Sequence, residues 1–481
     1  MIAKTISLCG SIINFSAWLG FLLICFLSFF YIPWRHSDSY LLIFTVGSLL
    51  SALSLYLALK PGVFPPLPVK LLSQRRLLSI IIFGVALRVA WVYLVPPIQL
   101  SDFQDYVNTA QALLQTGQHV QFVDSYELKA WRPPGYTFVL AFCMALFGAD
   151  NAYIPAFTNI LFYVLTCFVL DKIVRPIGGG KNAAMAVLIL TLWPSDITIT
   201  GLALVEPLSL LLFTFGVWAF FETQKTGSIG FAILAGLATG YGALVKPAVL
   251  MLPFLWFLFH VMTKAYRWPA ISRTLIAVIC MLMVIAPWSI RNYYALGKVV
   301  LISTNGGDNF YRANNPNASG GFTRKGERDL NQYLHDEVLW NATGFSWGKE
   351  WIKENPLGFI KLIFKKQGIL LGEDSTGVYW TLYRGYNESG VLYTVLTIIS
   401  ELWWTTILIL SAVGVIKNRT MLAQNPYGGL LLWMALYFVV IHSVFESQPR
   451  YHLPMIGFLA ILAAFALTSS SPAENDSRTA S

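Results

Sequence analysis

Charged residues are scarce in this 481-residue sequence: Asp, Glu, Lys and Arg make up 12% of it, whereas hydrophobic residues make up 56%. A soluble globular protein carries about 25% charged residues, so the composition excludes a soluble enzyme and a disordered chain. The five cysteines show neither metal-ligand spacing nor the density of a disulfide-stapled secreted domain. The sequence therefore predicts a polytopic membrane protein rather than a string of soluble domains.

The basic surplus is modest, with 33 Lys and Arg against 24 Asp and Glu and a net charge of +9. These basic residues form short clusters between apolar runs. A nucleic-acid partner would need a basic patch on a solvated face, and the sequence shows none. The clusters are instead typical of topology signals in a membrane protein.

Apolar runs of a length that can cross a bilayer recur along the chain. We predict an all-α bundle of about twelve transmembrane helices, with juxtamembrane helices and two long outer loops. The predicted spans are Ser11–Ile32, Tyr40–Leu59, Leu77–Pro97, Asn151–Leu170, Ala183–Thr200, Ala203–Phe221, Ser228–Val245, Ala248–Met262, Ile271–Trp288, Val391–Ile416, Gly428–Val444 and Leu453–Leu467.

Loop charge sets the predicted orientation, because basic loops stay in the cytoplasm. One alternating set of loops holds thirteen basic residues, and the other holds only Arg35, Lys246 and Arg450. Both termini are then cytoplasmic. The run 134–148 is too short to cross comfortably, so we interpret it as an interfacial helix on the outer surface. The thirteen are Lys60, Lys70, Arg75, Arg76, Lys172, Arg175, Lys181, Lys225, Lys264, Arg267, Arg273, Lys417 and Arg419.

This topology divides the chain into five parts. Residues 1–76 form an extra two-helix segment, and residues 77–289 form a membrane core with a first outer loop at 98–134. Residues 290–390 form a large outer loop with interfacial helices, residues 391–468 the last spans, and residues 469–481 a disordered cytoplasmic tail.

The first outer loop carries acids directly after a span. Pro96 and Pro97 end that helix, and Ser101 is a plausible N-cap for a new helix with Asp102 and Asp105 in its first turn. Such acids can simply satisfy free N–H groups at the helix start. They can also serve as a general base at the membrane surface, with Arg132 as the partner of a phosphate or carboxylate.

The motifs resemble those of the GT-C class of membrane glycosyltransferases, in the branch of the protein O-mannosyltransferases, the aminoarabinose transferases of lipid A and the lipopolysaccharide-core glycosyltransferases. The resemblance covers about 77–467, which leaves the first two spans outside it. It rests on "SDFQDY", "RPPGY", "LVEPLSLLL", "GLATGYGALVKPAVLMLP", "APWSIRNYYALGKVVLISTNGGDNFYRANNPNASGGF" and "QPRYHLPM".

The resemblance implies transfer of a sugar, hexosyl or pentosyl, from a polyprenyl-phosphate donor to a glycan, lipid or protein acceptor. Asp102 would be the general base of a single inverting displacement, with the role of Asp105 open. The implied location is the outer face of a bacterial inner membrane, in lipopolysaccharide or other envelope-glycan synthesis. Residues that would contact substrate are Arg132, Tyr136, Glu206, Lys246, Arg291, Asn305, Arg384 and Arg450.

Several of these residues also have ordinary structural explanations. Lys246 and Arg450 can be interfacial anchors, Glu206 can cap a helix, and Asn305 can belong to a turn. No cofactor is predicted. A divalent metal is conceivable because Asp105 follows Asp102, but no third acid or His lies at ligand spacing.

Two further features bear on the alternatives. The stretch "WIKENPLGFIKLIFKKQGILLG" predicts an interfacial amphipathic helix, with Lys361, Lys365 and Lys366 on its polar side. Arg88 and Glu401 lie inside predicted spans, where charges are usually paired, either with each other or with another polar group. These two charges favour a lipid or sugar transporter as an alternative. An O-antigen-type polymerase or ligase is another alternative, although that class relies on Arg and His in its outer loops.

Overall fold

The computed structural model describes residues 74–468, apart from 124, 264–266 and 324–327. The first two predicted spans lie outside the described residues, as do all but the last three residues of the 1–76 segment and the whole tail 469–481. The basic residues Arg35, Lys60, Lys70 and Lys264 lie outside them too, as do the side chains of Arg75 and Arg76.

The described part is a bundle of helices with one small hairpin. Its elements are α1 (Gln74–Leu94), α2 (Asp102–Thr116), β1 (Gln121–Val123), β2 (Tyr126–Leu128), α3 (Gly135–Phe147), α4 (Ile154–Thr191), α5 (Pro194–Thr198), α6 (Val205–Thr226), α7 (Ile229–Val245), a 3₁₀ turn (Pro247–Met251), α8 (Leu252–Thr263), α9 (Trp268–Leu296), α10 (Gly306–Ala313), a 3₁₀ turn (Leu330–Tyr333), α11 (Glu337–Glu354), α12 (Pro356–Gly372), α13 (Thr376–Val378), a π turn (Tyr379–Tyr383), α14 (Arg384–Tyr386), α15 (Val391–Lys417), α16 (Arg419–Gln424), α17 (Pro426–Val444), a 3₁₀ helix (Pro449–Met455) and α18 (Ile456–Leu467).

Seven helical stretches among the described residues are long and apolar enough to cross a membrane. They are Leu77–Leu94, Ile154–Thr191, Val205–Thr226, Trp268–Leu296, Val391–Lys417, Tyr427–Val444 and Pro449–Leu467, and the shorter apolar helices are Gly135–Phe147, Ile229–Val245 and Pro247–Val261. Each predicted span from Leu77 onward therefore falls on a helix, and the count of twelve stays a prediction. At 13 residues, α3 is about 20 Å long. This is shorter than a bilayer core, so an interfacial position for α3 stays the prediction.

The 38 residues of α4 contain two predicted spans joined without a loop. Gly179 has φ 81° and ψ 171°, which breaks the helix. The Tyr163 hydroxyl lies 2.7 Å from the Thr191 hydroxyl, and the Asn159 amide donates to the Thr200 carbonyl at 3.0 Å. Contacts between such distant residues show that the two halves run antiparallel, as two separate spans do.

The core of the bundle surrounds α18. This helix is apolar on every side, and residues Ile456–Phe465 are all buried. A helix without a polar face must be surrounded by other helices. It packs mainly against α15 and α4. In contrast, α9 exposes most of its apolar surface, with Ile279, Leu282 and Met283 about half-exposed or more, as expected of a helix that faces lipid.

The two segments predicted as outer loops are largely ordered. The first contains α2 and an antiparallel hairpin in which Gln121 pairs with Leu128 and Val123 with Tyr126. This hairpin is an addition to the predicted all-α fold. Glu337, at the start of α11, accepts from the Lys129 amide at 2.7 Å and from the Thr304 hydroxyl at 2.7 Å, which joins the two segments.

The amphipathic helix predicted in the second segment is divided at Asn355 into α11 and α12. Lys361 and Lys365 are exposed, as predicted. The prediction was wrong for Lys366, which is fully buried. Its ammonium donates to the Asn314 side chain at 3.0 Å and to the Val444 carbonyl at 3.1 Å. A positive charge at the carboxyl end of α17 is favourable, since free carbonyls end there.

Candidate active site

Asp102 lies between two arginines. Its Oδ1 accepts from Arg132 Nη2 at 2.8 Å, and its Oδ2 accepts from Arg450 Nη2 at 2.5 Å. Arg132 also donates to Asp105 at 3.0 Å, and the Gln121 amide reaches the same Asp105 oxygen at 3.0 Å. Two residues predicted from the first outer loop therefore meet a third that lies 348 positions further along the chain.

The chain positions Asp102 by a sharp entry into α2. Ser101 occupies the cap position with a positive φ of 53°. It makes no side-chain capping hydrogen bond, so the predicted N-cap role is wrong. Both oxygens of Asp102 bond to guanidinium groups, so its main contacts are not with the free N–H groups of the helix start. The structural explanation of these acids as helix caps therefore does not describe Asp102.

Two aromatic rings pack in series next to the Arg132 guanidinium. Its guanidinium lies 5.3 Å from the centre of the Tyr106 ring, and Tyr106 packs edge-to-face on Tyr136 at 5.5 Å. Tyr136 is fully buried behind Tyr106, and its predicted contact with substrate stays a prediction. Gly135 lets this segment approach the end of α7, because a Cβ there would lie 2.9 Å from the Leu244 backbone.

Lys246 and Glu206 form a second buried ion pair, at 3.1 Å. Glu206 lies in the first turn of α6 and Lys246 follows the last residue of α7, so the pair joins two helix ends. The Lys246 ammonium lies 4.7 Å from the centre of the Tyr451 ring. The Arg450 guanidinium lies 5.6 Å from the same ring, which places the second pair beside the Asp102 cluster.

The electrostatics of the site hold Asp102 ionised. Burial alone would raise the pKa of Asp102, but the Coulombic attraction and hydrogen bonds of Arg132 and Arg450 together lower it far below its usual range. Burial lowers the pKa of Lys246, and Glu206 opposes that shift. Burial opposes the charge of Arg132 as well, but Asp102 and Asp105 raise its pKa overall. Each carboxylate of the cluster therefore forms an ion pair with at least one cation, which favours the ionised form of both groups.

Three predicted substrate residues have partners other than Asp102 and Lys246 among the described contacts. Arg291 donates to the backbone carbonyls of Lys129 at 2.7 Å and His119 at 3.0 Å, so it supports the hairpin segment. Asn305 accepts from the Ser303 hydroxyl at 2.9 Å at the start of α10. Arg384 is exposed, with its guanidinium 5.5 Å from the centre of the Trp380 ring.

A third group of charges adjoins the cluster, and sequence reasoning singled out neither Arg312 nor Glu446 in it. Arg312 bonds to Asp308 at 2.8 Å and to the buried Glu446 at 3.1 Å. The Tyr451 hydroxyl donates to Glu446 at 3.2 Å, which links the group to Arg450 along the chain. Burial raises the pKa of Asp308 to about 6, against the opposing effect of Arg312. Glu446 follows an apolar run as Asp102 does, and that signal could have identified it.

The two charges inside predicted spans do not pair with each other. Arg88 pairs with Asp196 and donates to the Thr191 carbonyl at 3.3 Å. Glu401 accepts from the Asp374 backbone amide at 3.1 Å. Each charge therefore has its own local partner, the second of the two possibilities that the sequence allowed.

The residues present do not fit a divalent metal at Asp102. Both of its oxygens are engaged by guanidinium groups, and a metal ion would have to compete with both. Within the described part of the chain, no three His, Cys, Asp or Glu side chains come together as a ligand set. The prediction that the protein needs no metal stays a prediction.

Comparison with known proteins identifies the fold. A family model described as dolichyl-phosphate-mannose-protein mannosyltransferase matches residues 131–290, about a third of the chain. The oligosaccharyltransferase AglB from Archaeoglobus fulgidus, in complex with an inhibitory peptide and a dolichol-phosphate, superimposes with a TM-score of 0.50 at 12% identity. That match covers 81% of this chain and 50% of AglB. The chain has the GT-C fold.

Two more structures are similar to this GT-C chain. AglB in complex with Zn and sulfate gives a TM-score of 0.51 at 12% identity, over 81% of this chain and 48% of AglB. ArnT from Cupriavidus metallidurans, bound to undecaprenyl phosphate, gives 0.41 at 14% identity, over 82% of this chain and 78% of ArnT. The chain thus spans about half the length of the archaeal proteins that it matches. No curated protein matches its sequence.

Proposed function

We propose that this GT-C chain is an inverting glycosyltransferase that uses a polyprenyl-phosphate sugar. The acceptor hydroxyl attacks the anomeric carbon while the bond from that carbon to the phosphate oxygen breaks. Asp102 takes the hydroxyl proton, and the lipid phosphate leaves. The observation that supports this best is the single carboxylate of Asp102 held between Arg132 and Arg450 beside a buried lysine.

The cations suit a phosphate leaving group. A guanidinium matches two phosphate oxygens at once, and its charge persists in a low-dielectric site. Arg450 is nine-tenths buried, and both Arg450 and Lys246 lie within 6 Å of the centre of the Tyr451 ring. Positive charge fixed before the reaction stabilises the negative charge that develops on the departing phosphate.

Asp102 becomes a stronger base when the donor phosphate replaces it as the partner of the two arginines. With two arginines bound, the low pKa of Asp102 makes it a weak proton acceptor. An incoming phosphate competes for the same two guanidinium groups. As they turn to the phosphate, the pKa of Asp102 rises and the carboxylate is freed to face the acceptor hydroxyl. Donor binding thereby activates the base.

Packing next to Asp102 limits access of water, which would otherwise hydrolyse the donor. Phe103 is buried and meets the Trp380 ring edge-to-face at 5.2 Å. Trp380 belongs to the π turn, a rare element that often marks functional sites. This aromatic contact closes one side of the cluster.

The finer features of the proposal are as follows. The AglB structure contains a dolichol-phosphate, which supports a polyprenyl-phosphate donor here. The transferred sugar is a hexosyl or pentosyl group, and the acceptor is a glycan, lipid or protein. The reaction takes place on the outer face of a bacterial inner membrane, with both termini cytoplasmic, in lipopolysaccharide or related envelope-glycan synthesis. The clustering of site residues at helix ends on one end of the bundle supports a single reactive surface.

The contacts of Arg88 and Glu401 do not favour the transporter alternative. Arg88 is almost fully buried against Asp196, and Glu401 is buried against the Asp374 backbone, so neither lies free along a path. The polymerase or ligase alternative relies on Arg and His without an acid base. The central position of Asp102 supports the transferase instead.

The test is the transfer activity of the Asp102→Asn variant in lipid nanodiscs. Undecaprenyl-phosphate-linked sugars serve as donors and total envelope extract as acceptor, with release of undecaprenyl phosphate as the readout. Because a general base contributes about 10²- to 10⁴-fold, we expect activity to fall by at least a hundredfold. NMR of the product should show an inverted anomeric centre.

Asp336→Asn is the matched control. Asp336 caps α11 through the Val338 and Leu339 amides, and Asn caps a helix equally well, so activity and thermal midpoint should both stay unchanged. If Asp102→Asn keeps wild-type activity, the base assignment is wrong. If wild type releases no undecaprenyl phosphate from any donor, the transferase proposal itself is wrong.

A further inference from the structure

His452 lies two residues after Arg450 and is fully buried. Its Nδ1 is 2.6 Å from the Leu370 carbonyl oxygen, and its Nε2 is 2.8 Å from Asp374 Oδ1. A carbonyl oxygen only accepts hydrogen bonds, so Nδ1 must carry a proton. The ring is thereby fixed at both ends within the bundle.

The pair of His452 and Asp374 holds one proton more than neutral imidazole plus carboxylate. Neutral imidazole donates from one nitrogen only, and Nδ1 is already the donor to Leu370. The contact between Nε2 and Asp374 therefore needs a second proton, on the imidazolium or on the carboxyl. With that proton on the imidazolium the hydrogen bond to Asp374 is charge-assisted, and with it on the carboxyl the bond joins two neutral groups. In both forms each ring nitrogen has a partner, so the orientation of the ring is fixed.

Asp374 is itself held from several directions. Its Oδ2 accepts from the Trp193 indole at 2.6 Å, and its backbone amide donates to Glu401 at 3.1 Å. The Trp404 ring stacks on His452 with centroids 4.0 Å apart, and the Trp404 indole donates to the Leu371 carbonyl at 2.7 Å. The network thus joins the chain before α5, the end of α12, α15 and the 3₁₀ helix that carries Arg450.

We propose that His452 and Asp374 are positioning residues that hold Arg450 against Asp102. The inference rests on the proposed function in assigning the donor phosphate to Arg450. A 3₁₀ helix has three residues per turn, so residues 450 and 452 project in different directions. Arg450 points to Asp102 while His452 points to Asp374, and fixing one side chain fixes the backbone of the other.

The pair of His452 and Asp374 contributes more to the orientation of Arg450 than to the stability of the fold. Burying two charged or proton-sharing groups carries a desolvation cost that offsets much of their attraction. The Arg450 side chain is long and must lose considerable rotamer freedom to hold a phosphate in place. An anchor two residues away reduces that loss at the moment of binding, which is the general benefit of preorganisation.

The first test is independent of substrate. A double-mutant cycle of Asp102→Asn and Arg450→Gln, read from thermal midpoints in nanodiscs, gives the coupling between the two side chains. The cycle is then repeated with His452→Phe, which keeps the stacking on Trp404 and removes both hydrogen bonds. We expect the coupling to fall by more than half. An unchanged coupling overturns the proposal.

Asp374→Asn is the conservative control. A neutral His452 can still donate from Nδ1 to Leu370 and accept at Nε2 from the new amide, so the coupling should be kept. If His452→Phe does not fold because Asp374 is left buried and unpaired, the double variant with Asp374→Asn removes that charge and carries the same test. Loss of coupling in Asp374→Asn alone contradicts positioning by geometry.

The second test uses undecaprenyl phosphate as the probe. We expect His452→Phe to weaken its binding about tenfold, the equivalent of one charge-assisted hydrogen bond. In an Arg450→Gln background the same change should have no further effect, because the pair acts through Arg450. An equal loss in both backgrounds overturns the proposal. If wild type does not bind this lipid, the proposed function fails while the coupling result still decides the positioning.

Discussion

Two of the arginine–aspartate clusters in this protein, at Asp102 and at Asp196, lie in contrasting surroundings. Asp102 has a side chain 30% exposed and shares its charge between Arg132, 16% exposed, and Arg450, 10% exposed. Arg88 is only 1% exposed, and its partner Asp196 is 10% exposed. Arg88 also lies 3.6 Å from the Tyr163 ring centre and donates to the Gly84 carbonyl at 3.1 Å.

The difference lies in whether partners can be exchanged. Around Asp102 the charges are partly open, so an incoming anion can take a guanidinium from the carboxylate. Around Arg88 the Tyr163 ring and the Gly84 and Thr191 carbonyls occupy the guanidinium in addition to Asp196, so the pair has several fixed partners. The same two residue types therefore make a partly exposed cluster at Asp102, where we propose the reaction, and a buried ion pair at Asp196 within the bundle.

Loss of Arg88 should have the largest effect on stability. Arg88→Met leaves Asp196 buried without a partner, which destabilises a protein by about 3–5 kcal/mol. The thermal midpoint in nanodiscs should drop sharply, and Arg88→Met with Asp196→Asn should recover most of it. Undecaprenyl phosphate affinity per folded molecule should not change. A large loss of affinity in the folded double variant would show that the Arg88–Asp196 pair also takes part in donor binding.

Loss of Lys246 should mainly affect donor binding. Lys246→Gln together with Glu206→Gln removes the ion pair without leaving a buried charge unpaired. We expect undecaprenyl phosphate affinity to fall about tenfold, since one charge-assisted contact to phosphate is removed. Lys349→Gln is the control, because Lys349 is an exposed residue of α11. Equal affinities for the two variants would place the phosphate away from Lys246.

Asp308 should make stability depend on pH between about 4 and 6. Its pKa is raised by burial from 3.8 to about 6, so the folded protein binds more protons than the unfolded chain in this range. Stability attributable to this group is therefore complete below pH 4 and lost as pH rises through 6, by at most about 3 kcal/mol. The thermal midpoints of wild type and Asp308→Asn should therefore change differently with pH between 4 and 6. Above pH 7 the two midpoints should change with pH in the same way.

Arg384 should give the smallest effect. Its guanidinium is exposed and contacts only the Trp380 ring among the interactions described above. An exposed cation–π contact contributes about 0.5–1 kcal/mol. Arg384→Ala should change donor affinity less than twofold and the thermal midpoint only slightly. A loss comparable to that of the Lys246 variant would extend the cluster to the π turn.

Candidate site residues could be selected from the sequence, and their assignment to the site stays a prediction, but which of them lie together could be predicted only in part. Asp102, Arg132, Glu206, Lys246 and Arg450 each stand at an apolar boundary that can be recognised in the sequence, and the structure brings all five together. Arg291, Asn305 and Arg384 have the same local signals. Their positions depend on the path of the second outer segment, which local periodicity does not determine.

The burial of particular charges was also beyond sequence reasoning. Lys366 lies in a helix with exposed lysines at 361 and 365, yet it is buried because the carboxyl end of α17 packs there. In the sequence, Arg312 resembles any basic residue of a polar stretch, and only the structure shows its ion pair with Glu446. Both outcomes depend on contacts between residues more than fifty positions apart, and a single sequence contains no direct signal for these.

The reversal at Gly179 has a practical consequence for mapping the topology of this protein. Reporter fusions and proteolysis usually rely on a loop that tolerates insertion, and here the two antiparallel halves of α4 meet through one residue with a positive φ. An inserted tag would separate the halves rather than extend a loop. Single cysteines introduced at the neighbouring exposed Lys172 or Lys181, followed by labelling with a membrane-impermeant reagent, offer a gentler way to establish which side this turn faces.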